Sequence, residues 1–285
     1  MYPCGRYRTQ EHKNKPATGH LIEGDGTLSE LLYEVHGEIG VVTLNRPEAR
    51  NALTFGMYEG LAKICRETEI GGPVKAIVVQ GAGGKAFAAG TDISQFRAFG
   101  EPDDARRYES TMDEVLTDIE KCPVPTIAAI TGACTGGGAA IAATCDIRIT
   151  DERLRYGFPI ARTLGNCLSI ANLGRLAPLI GVGRLKEILL TTRLIEAQEA
   201  LAIGLVSEVL PDADAVRARA MELAEMLAGN APLCMRATKE GIRRLRVDGT
   251  EASGDDFIVE CYMSDDFKEG IEAFLGKRKP TWRGR

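Results

Sequence analysis

The chain has 285 residues, 44% of them apolar, which is enough for a substantial core in one large domain or two small ones. Its net charge of -5 comes from 35 basic and 40 acidic residues interspersed along the chain, so no basic patch points to nucleic acid. Only three histidines are present, His12, His20 and His36, and nothing from residue 37 onward can act as an imidazole base. That argues against a Ser-His-Asp triad, a Cys-His pair and a His-rich metal site, unless the polar N-terminal stretch folds back over the catalytic centre.

Residues 1–27 are polar and lack apolar periodicity, which predicts a flexible extension; the opening MYPCGRYRTQEHKNK has no apolar segment of the kind a signal peptide needs. Leu31 to Leu44 alternate around His36-Gly37-Glu38, a hairpin pattern that stops at Asn45-Arg46-Pro47. Thr54 then caps a helix whose apolar positions Met57, Leu61, Ile64 and Cys65 follow the 3.6-residue period. Ala76-Ile77-Val78-Val79 reads as a buried strand, followed by a glycine-rich loop, a second short strand near Ala86 to Ala89, and Gly90-Thr91-Asp92. A helix over 103–121 carries Tyr108, Met112, Val115 and Ile119 on one face. The next unit runs from a strand at Thr126 to Ile130, through Gly132 to Gly138, into an Ala/Ile-rich helix and Cys145-Asp146-Ile147-Arg148-Ile149.

Residues 122–145 are uncharged, but two prolines and four glycines interrupt them, so they read as strand, loop and helix rather than as a membrane span. Strand signal fades from about residue 167, and helical patterns take over at 212–228, 231–245 and 265–275. The expected organisation is an α/β core over 28–200 and a helical C-terminal region over 201–285. The eight cysteines, at 4, 65, 122, 134, 145, 167, 234 and 261, include no C-x-x-C pair and read as buried small apolar residues in a reducing cytoplasm.

Two glycine-rich turns, Ala88-Ala89-Gly90-Thr91-Asp92 and Thr135-Gly136-Gly137-Gly138, follow buried strands. Each can present unpaired backbone N–H groups at a helix start, and together they can form an oxyanion hole. Taken singly, both are also ordinary tight turns. Asp92 is placed to cap the helix after Thr91. A phosphate-binding P-loop at Gly81 to Lys85 fails, because Val79 and Ala86 stand where glycine and a hydroxyl residue are needed. The G-x-G-x-x-G and G-x-S-x-G patterns are absent.

Five segments carry a resemblance in order: Leu44-Asn45-Arg46-Pro47-Glu48-Ala49-Arg50-Asn51-Ala52-Leu53; Ala86-Phe87-Ala88-Ala89-Gly90-Thr91-Asp92-Ile93; Gly132 to Gly138 running on to Cys145-Asp146-Ile147; Glu196-Ala197 to Gly204-Leu205-Val206; and Glu269-Gly270, Ala273-Phe274, Lys277-Arg278 and Pro280. Over residues 28–283 the chain resembles the enoyl-CoA hydratase/isomerase (crotonase) family. The resemblance implies an α/β spiral of repeated β-β-α units with a helical C-terminal oligomerisation region. It also implies a homotrimer or a hexamer built from two trimers, and a cytoplasmic enzyme of fatty acid metabolism. The implied substrate is an acyl-CoA, with coenzyme A part of the substrate, and no separate cofactor, metal, nucleic acid or membrane is expected. By match, the Thr91 and Gly137 amides hold the thioester oxygen. Glu48, Ala49, Arg50, Leu53, Ala89, Asp92, Ile93 and Gly136 line the substrate and its CoA, and Phe274 and Lys277 reach the CoA of a neighbouring subunit.

The departure from the family pattern concerns proton transfer. Hydratases of the family carry one glutamate three residues after the middle glycine of the Gly-Gly-Gly turn and another after a later proline; here these positions are Ala140 and Ile160. Neither side chain accepts a proton, which argues against ordinary two-glutamate hydration and weakens one-glutamate isomerisation. A reaction other than hydration is expected, with a non-catalytic acyl-CoA-binding protein as the alternative. Arg162, Asn166 and Cys167 follow Ile160 and, with Ala140 and Ile160, are candidates to line the acyl pocket; otherwise Cys167 packs in the core and Arg162 forms an ion pair. A carboxylate or tyrosine beside the two amides, such as Glu109 or Tyr108, would restore a catalytic route.

Overall fold

A computed structural model describes residues 29–285. The expected extension at 1–27, with Cys4, His12 and His20, lies outside the described residues. β1 (Leu31–His36) and β2 (Ile39–Leu44) form the expected antiparallel hairpin, turning at Gly37 with φ +63°. In α1 (Phe55–Glu67) the Thr54 hydroxyl accepts the Met57 N–H, satisfying an otherwise orphaned helix donor. Next come β3 (Ala76–Gly81), β4 (Ala86–Ala88), α2 (Pro102–Glu120), β5 (Thr126–Ile130), β6 (Ala133–Thr135), α3 (Gly137–Thr144), β7 (Ile147–Asp151) and β8 (Arg155–Gly157). The chain continues through α4 (Ile160–Thr163), α5 (Ile170–Ile180), α6 (Val182–Thr191), β9 (Ile195–Glu196), α7 (Ala197–Ala202) and β10 (Glu208–Leu210). It ends in α8 (Ala213–Ala228), α9 (Pro232–Asp248), α10 (Asp255–Met263) and α11 (Asp265–Leu275).

The strands alternate between two sheets. The larger has the order β1-β2-β3-β5-β7-β10 and the smaller β4-β6-β8-β9. Each turn of the chain lays one strand in each sheet (β3 then β4, β5 then β6, β7 then β8) and advances sideways, which is the expected spiral of β-β-α units. From β2 onward the large sheet is parallel, and both of its faces are covered. Ile77, Val79, Ala128 and Ile130 point into the main core with α1, α2 and α3, while Ala76, Val78, Ile127 and Ala129 point to the opposite face. There Val216, Ala220 and Ala224 of α8, spaced four residues apart, let the helix lie close on the strands.

Several short elements depart from the expectation. The Gly132 to Gly138 stretch contains β6, and strands continue beyond residue 167 as β9 and β10. The expected division at residue 200 falls inside α7; β10 and α8, which follow it, pair with β7 and cover the large sheet. α10 lies between two of the expected helices. The uncharged 122–145 stretch folds into β5, β6 and α3, and among the described residues no helix is long and apolar enough to cross a membrane. The cysteine expectation holds for Cys65, Cys122, Cys134 and Cys145, whereas Cys167 and Cys234 are exposed and Cys261 is half-buried. All seven are free thiols.

Candidate active site

The two glycine turns meet where strands of the small sheet end. Gly136 adopts φ +54° and ψ -120°, a conformation open to glycine, and a Cβ there would come within 3.4 Å of Gly90 Cα. The turns therefore lie back to back. Gly138 packs the first turn of α3 onto β4, since a Cβ there would lie 2.5 Å from the Ala88 carbonyl oxygen. Gly137 opens α3, so its N–H is one of the unpaired donors at the positive end of a helix.

The Thr91 amide is set by a second strip of backbone. Leu53 N–H donates to Gly90 O at 2.8 Å, Asp92 N–H donates to Leu53 O at 2.8 Å, and Ala89 N–H donates to Arg50 O at 3.0 Å. Because the pairing uses the groups on either side of Thr91, its own N–H points away from Leu53 and takes no backbone acceptor among the described residues. Asn51, fully buried, ties this strip down: its Nδ2 donates to Ala82 O at 3.0 Å and Ala86 O at 2.8 Å, and its Oδ1 accepts the Arg46 N–H at 3.0 Å. Asp92 accepts the Ser94 N–H at 3.0 Å, which is the expected cap, and pairs with Arg46 at 3.0 Å. These contacts, the Ser94 bonds first, hold its carboxyl below the ordinary value. Its role in the fold is to lock the turn that carries Thr91.

Both amides border one cavity of about 250 Å³. Ala89, Thr91, Ile93, Gly136 and Gly137 line it, as do Ala140, Ile160, Asn166 and Cys167. Tyr58, Phe96, Tyr108 and Phe158 add four aromatic rings to the lining. One ionisable carboxylate lies among the lining residues, Glu109 of α2. Its half-burial, and then the negative charge of Asp113 one helical turn away, raise its pKa. Burial likewise raises Tyr58 and Tyr108, and the Glu109 charge pushes both further up. A half-buried glutamate with a raised pKa, lining the same cleft as two unpaired amides, is a group equipped to take and return protons.

Other sequence-derived residues lie elsewhere. Leu53 is fully buried, so it meets the Thr91 turn through its backbone, and its side chain belongs to the core. Glu48 and Arg50 are exposed and Ala49 half-buried on the strip next to the turn; none lines the cavity. Arg162 is exposed, outside the cavity lining, and forms no ion pair among the described residues. Phe274, 83% exposed, and Lys277 sit at the end of α11, away from the cavity. His36 pairs with Glu34 at the β1 turn and is not a cavity residue. The signal that marks Glu109 is its spacing: Glu109, Met112 and Leu116, at i, i+3 and i+7, all line the cavity, a helical stripe with one charge in it. Tyr58 and Asn51 had no such signal, because their partners are distant in sequence.

The enoyl-CoA hydratase/isomerase family model matches residues 34–285. The chain belongs to this family. Within the enoyl-CoA hydratase/isomerase family, a short-chain-enoyl-CoA hydratase of Clostridium acetobutylicum is 34% identical over 255 residues, covering 88% of this chain and 97% of that protein. A 2,3-dehydroadipyl-CoA hydratase of Escherichia coli is 30% identical over 261 residues, covering 90% of this chain and all of that protein. Among solved structures, an enoyl-CoA hydratase/carnithine racemase from Magnetospirillum magneticum superposes with a TM-score of 0.81 at 35% identity, covering 91% of this chain and 97% of that one. The fold is therefore the crotonase fold, as the sequence motifs imply.

Proposed function

We propose that this enoyl-CoA hydratase/isomerase family member processes an acyl-CoA thioester by removing a proton next to the thioester carbonyl, with Glu109 as the base. Family membership supports the substrate class. The observation that carries the reading is the placement of Glu109 in the same cavity as the Thr91 and Gly137 amides. As the proton leaves the α-carbon, negative charge moves onto the thioester oxygen. Two preorganised N–H donors stabilise that charge without reorganising, and losing one such donor costs about 10²–10³ in rate.

The number of carboxylates favours isomerisation over hydration. Hydration needs one group to activate water and another to manage the α-proton, and the positions assigned to those glutamates by resemblance hold Ala140 and Ile160. One carboxylate suffices for an allylic shift. Glu109 takes the proton from C2 of a 3-enoyl thioester, the double bond moves to C2–C3, and the protonated Glu109 returns the proton to C4. Atoms and charge balance with no water consumed and no second acid. Without a base, the positions 140 and 160 make isomerisation doubtful; Glu109 supplies that base from a different element.

The test is exchange and turnover with a panel of 3-enoyl-, 2-enoyl-, 3-hydroxyacyl- and aroyl-CoA thioesters in D2O. The wild type should interconvert 3-enoyl and 2-enoyl thioesters and wash deuterium into C2, and Glu109→Gln should lower both rates by about 10²–10⁴ while still binding the thioester. Wild-type turnover in Glu109→Gln overturns the assignment of the base. Tight acyl-CoA binding by the wild type with neither exchange nor turnover supports the non-catalytic alternative.

A further inference from the structure

Three hydroxyl groups meet beside the Thr91 amide, and their proton count is informative. Tyr58 Oη lies 2.9 Å from Thr91 Oγ1, and Tyr108 Oη lies 3.4 Å from it, the longer and weaker of the two links. Three hydroxyls carry three protons, and two O···O links use two of them. One proton must point elsewhere. Tyr58 is 2% exposed, and among the described residues Thr91 is the hydrogen-bond partner of its Oη. The other neighbour of that oxygen is the backbone of Gly137, where a Cβ would lie 1.7 Å from Tyr58 Oη and 3.0 Å from Thr91 Oγ1. The tyrosine hydroxyl thus occupies the space over Gly137 Cα, at the wall of the cavity that Tyr58, Thr91, Tyr108 and Gly137 share. If Tyr108 donates to Thr91 and Thr91 donates to Tyr58, the spare proton belongs to Tyr58 and faces the cavity.

We infer, building on the acyl-CoA chemistry proposed above, that Tyr58 is a third donor to the thioester oxygen beside the Thr91 and Gly137 amides, with the Thr91 hydroxyl and Tyr108 positioning its proton. Thr91 then contributes twice, by its amide directly and by its side chain through Tyr58. Aligned hydroxyls polarise one another, so the donor strengthens as charge builds on the oxygen. Burial and the nearby Glu109 carboxylate both favour the neutral tyrosine, so Tyr58 keeps the proton it has to offer over the range in which Glu109 is ionised. Gly137 has a steric reason on the same account: any side chain there would displace the hydroxyl.

Difference infrared spectroscopy of bound crotonyl-CoA labelled with ¹³C at the carbonyl reads this polarisation directly. In the wild type the bound carbonyl stretch should fall below that of the free thioester. Tyr58→Phe, which keeps the ring and its packing, should move it back upward and lower kcat about 10²-fold with little change in KM. Thr91→Val should move the stretch in the same direction by less, with Thr91→Ser restoring it, because only the side-chain hydroxyl differs. A wild-type carbonyl frequency in Tyr58→Phe overturns the inference, whatever happens to the rate, and assigns Tyr58 to packing. A wild type that polarises the carbonyl through Tyr58 yet turns over no substrate upholds the donor and sinks the base, which keeps the two readings separable.

Discussion

Replacing Asn51 by alanine tests how the fold holds one half of the oxyanion hole. The side chain is fully buried and makes three hydrogen bonds, to Ala82 O, Ala86 O and the Arg46 N–H. At about 1 kcal/mol net for each bond the truncation costs about 3 kcal/mol. Asn51 also sits at φ +56°, where asparagine is tolerated better than alanine, which adds about 1 kcal/mol. A loss of about 4 kcal/mol corresponds to a drop in Tm of about 8–16 °C for a chain of this size. Thermal unfolding followed by circular dichroism measures it. Asn51→Asp sharpens the argument, because its carboxylate would face two carbonyl oxygens and could donate to them only when protonated. Its folded-state pKa is then raised above the unfolded value, so the penalty is full above the folded pKa and its pH-dependent part disappears as pH falls below about 3.9, leaving one carbonyl unpaired because the protonated acid has a single O–H. Asn51→Asp should therefore approach wild-type stability in acid and diverge from it toward neutral pH. A Tm for Asn51→Ala within 2 °C of wild type would refute the clamp.

Two further outcomes follow from the cavity. Burial and Asp113 hold the proton on Glu109, and a base works when ionised, so kcat/KM should rise with pH through an apparent pKa above the ordinary glutamate value, and Asp113→Asn should move that limb to lower pH. An acid limb insensitive to Asp113→Asn in a pH-rate series contradicts this. Cys167 is exposed at the cavity, whereas Cys145 is buried with its thiol pushed up to about 12. Alkylation at mildly alkaline pH should label Cys167 and the exposed Cys234 but spare Cys145, and an acyl-CoA should protect Cys167 alone, as read by peptide mass spectrometry.

The sequence exposes those parts of the fold that repeat over several residues. The β1–β2 hairpin, α1 with its Thr54 cap, and the apolar runs of β3 and β5 are long enough to show their periods, and the parallel sheet makes those runs apolar on both faces. β6, β9 and β10 span three residues or fewer, too short for any alternation, and exist because neighbouring strands supply partners. The same distinction runs through the site. The glycine turns are visible because glycine at φ beyond reach of other residues leaves a mark in the sequence. Asn51 and Tyr58 act through hydrogen bonds to residues 31 and 33 positions away, Ala82 and Thr91, and nothing in their local spelling announces the partner, whereas Glu109 shows itself as the one charge in an apolar helical stripe.

The division between turns and helix also bears on how the chemistry is assembled. The amides sit on backbone fixed by strand ends, buried glycines and the Asn51 clamp, while the proposed base is one side chain on α2, which reaches the cavity from outside the sheets. If the two functions are separable, the base can change position while the oxyanion hole stays. Ala140 lies one turn into α3 from Gly137 and lines the cavity, so Glu109→Gln combined with Ala140→Glu moves the carboxylate from α2 to α3 while leaving both amides in place. The double variant should regain at least about tenfold of the exchange rate that Glu109→Gln loses, out of the 10²–10⁴ that a positioned base contributes. Its bound crotonyl-CoA should keep the wild-type carbonyl stretch, because all three donors remain. No recovery, with the stretch unchanged, would show that a carboxylate on α3 does not replace the one on α2, and that the position of the base is fixed independently of the oxyanion hole.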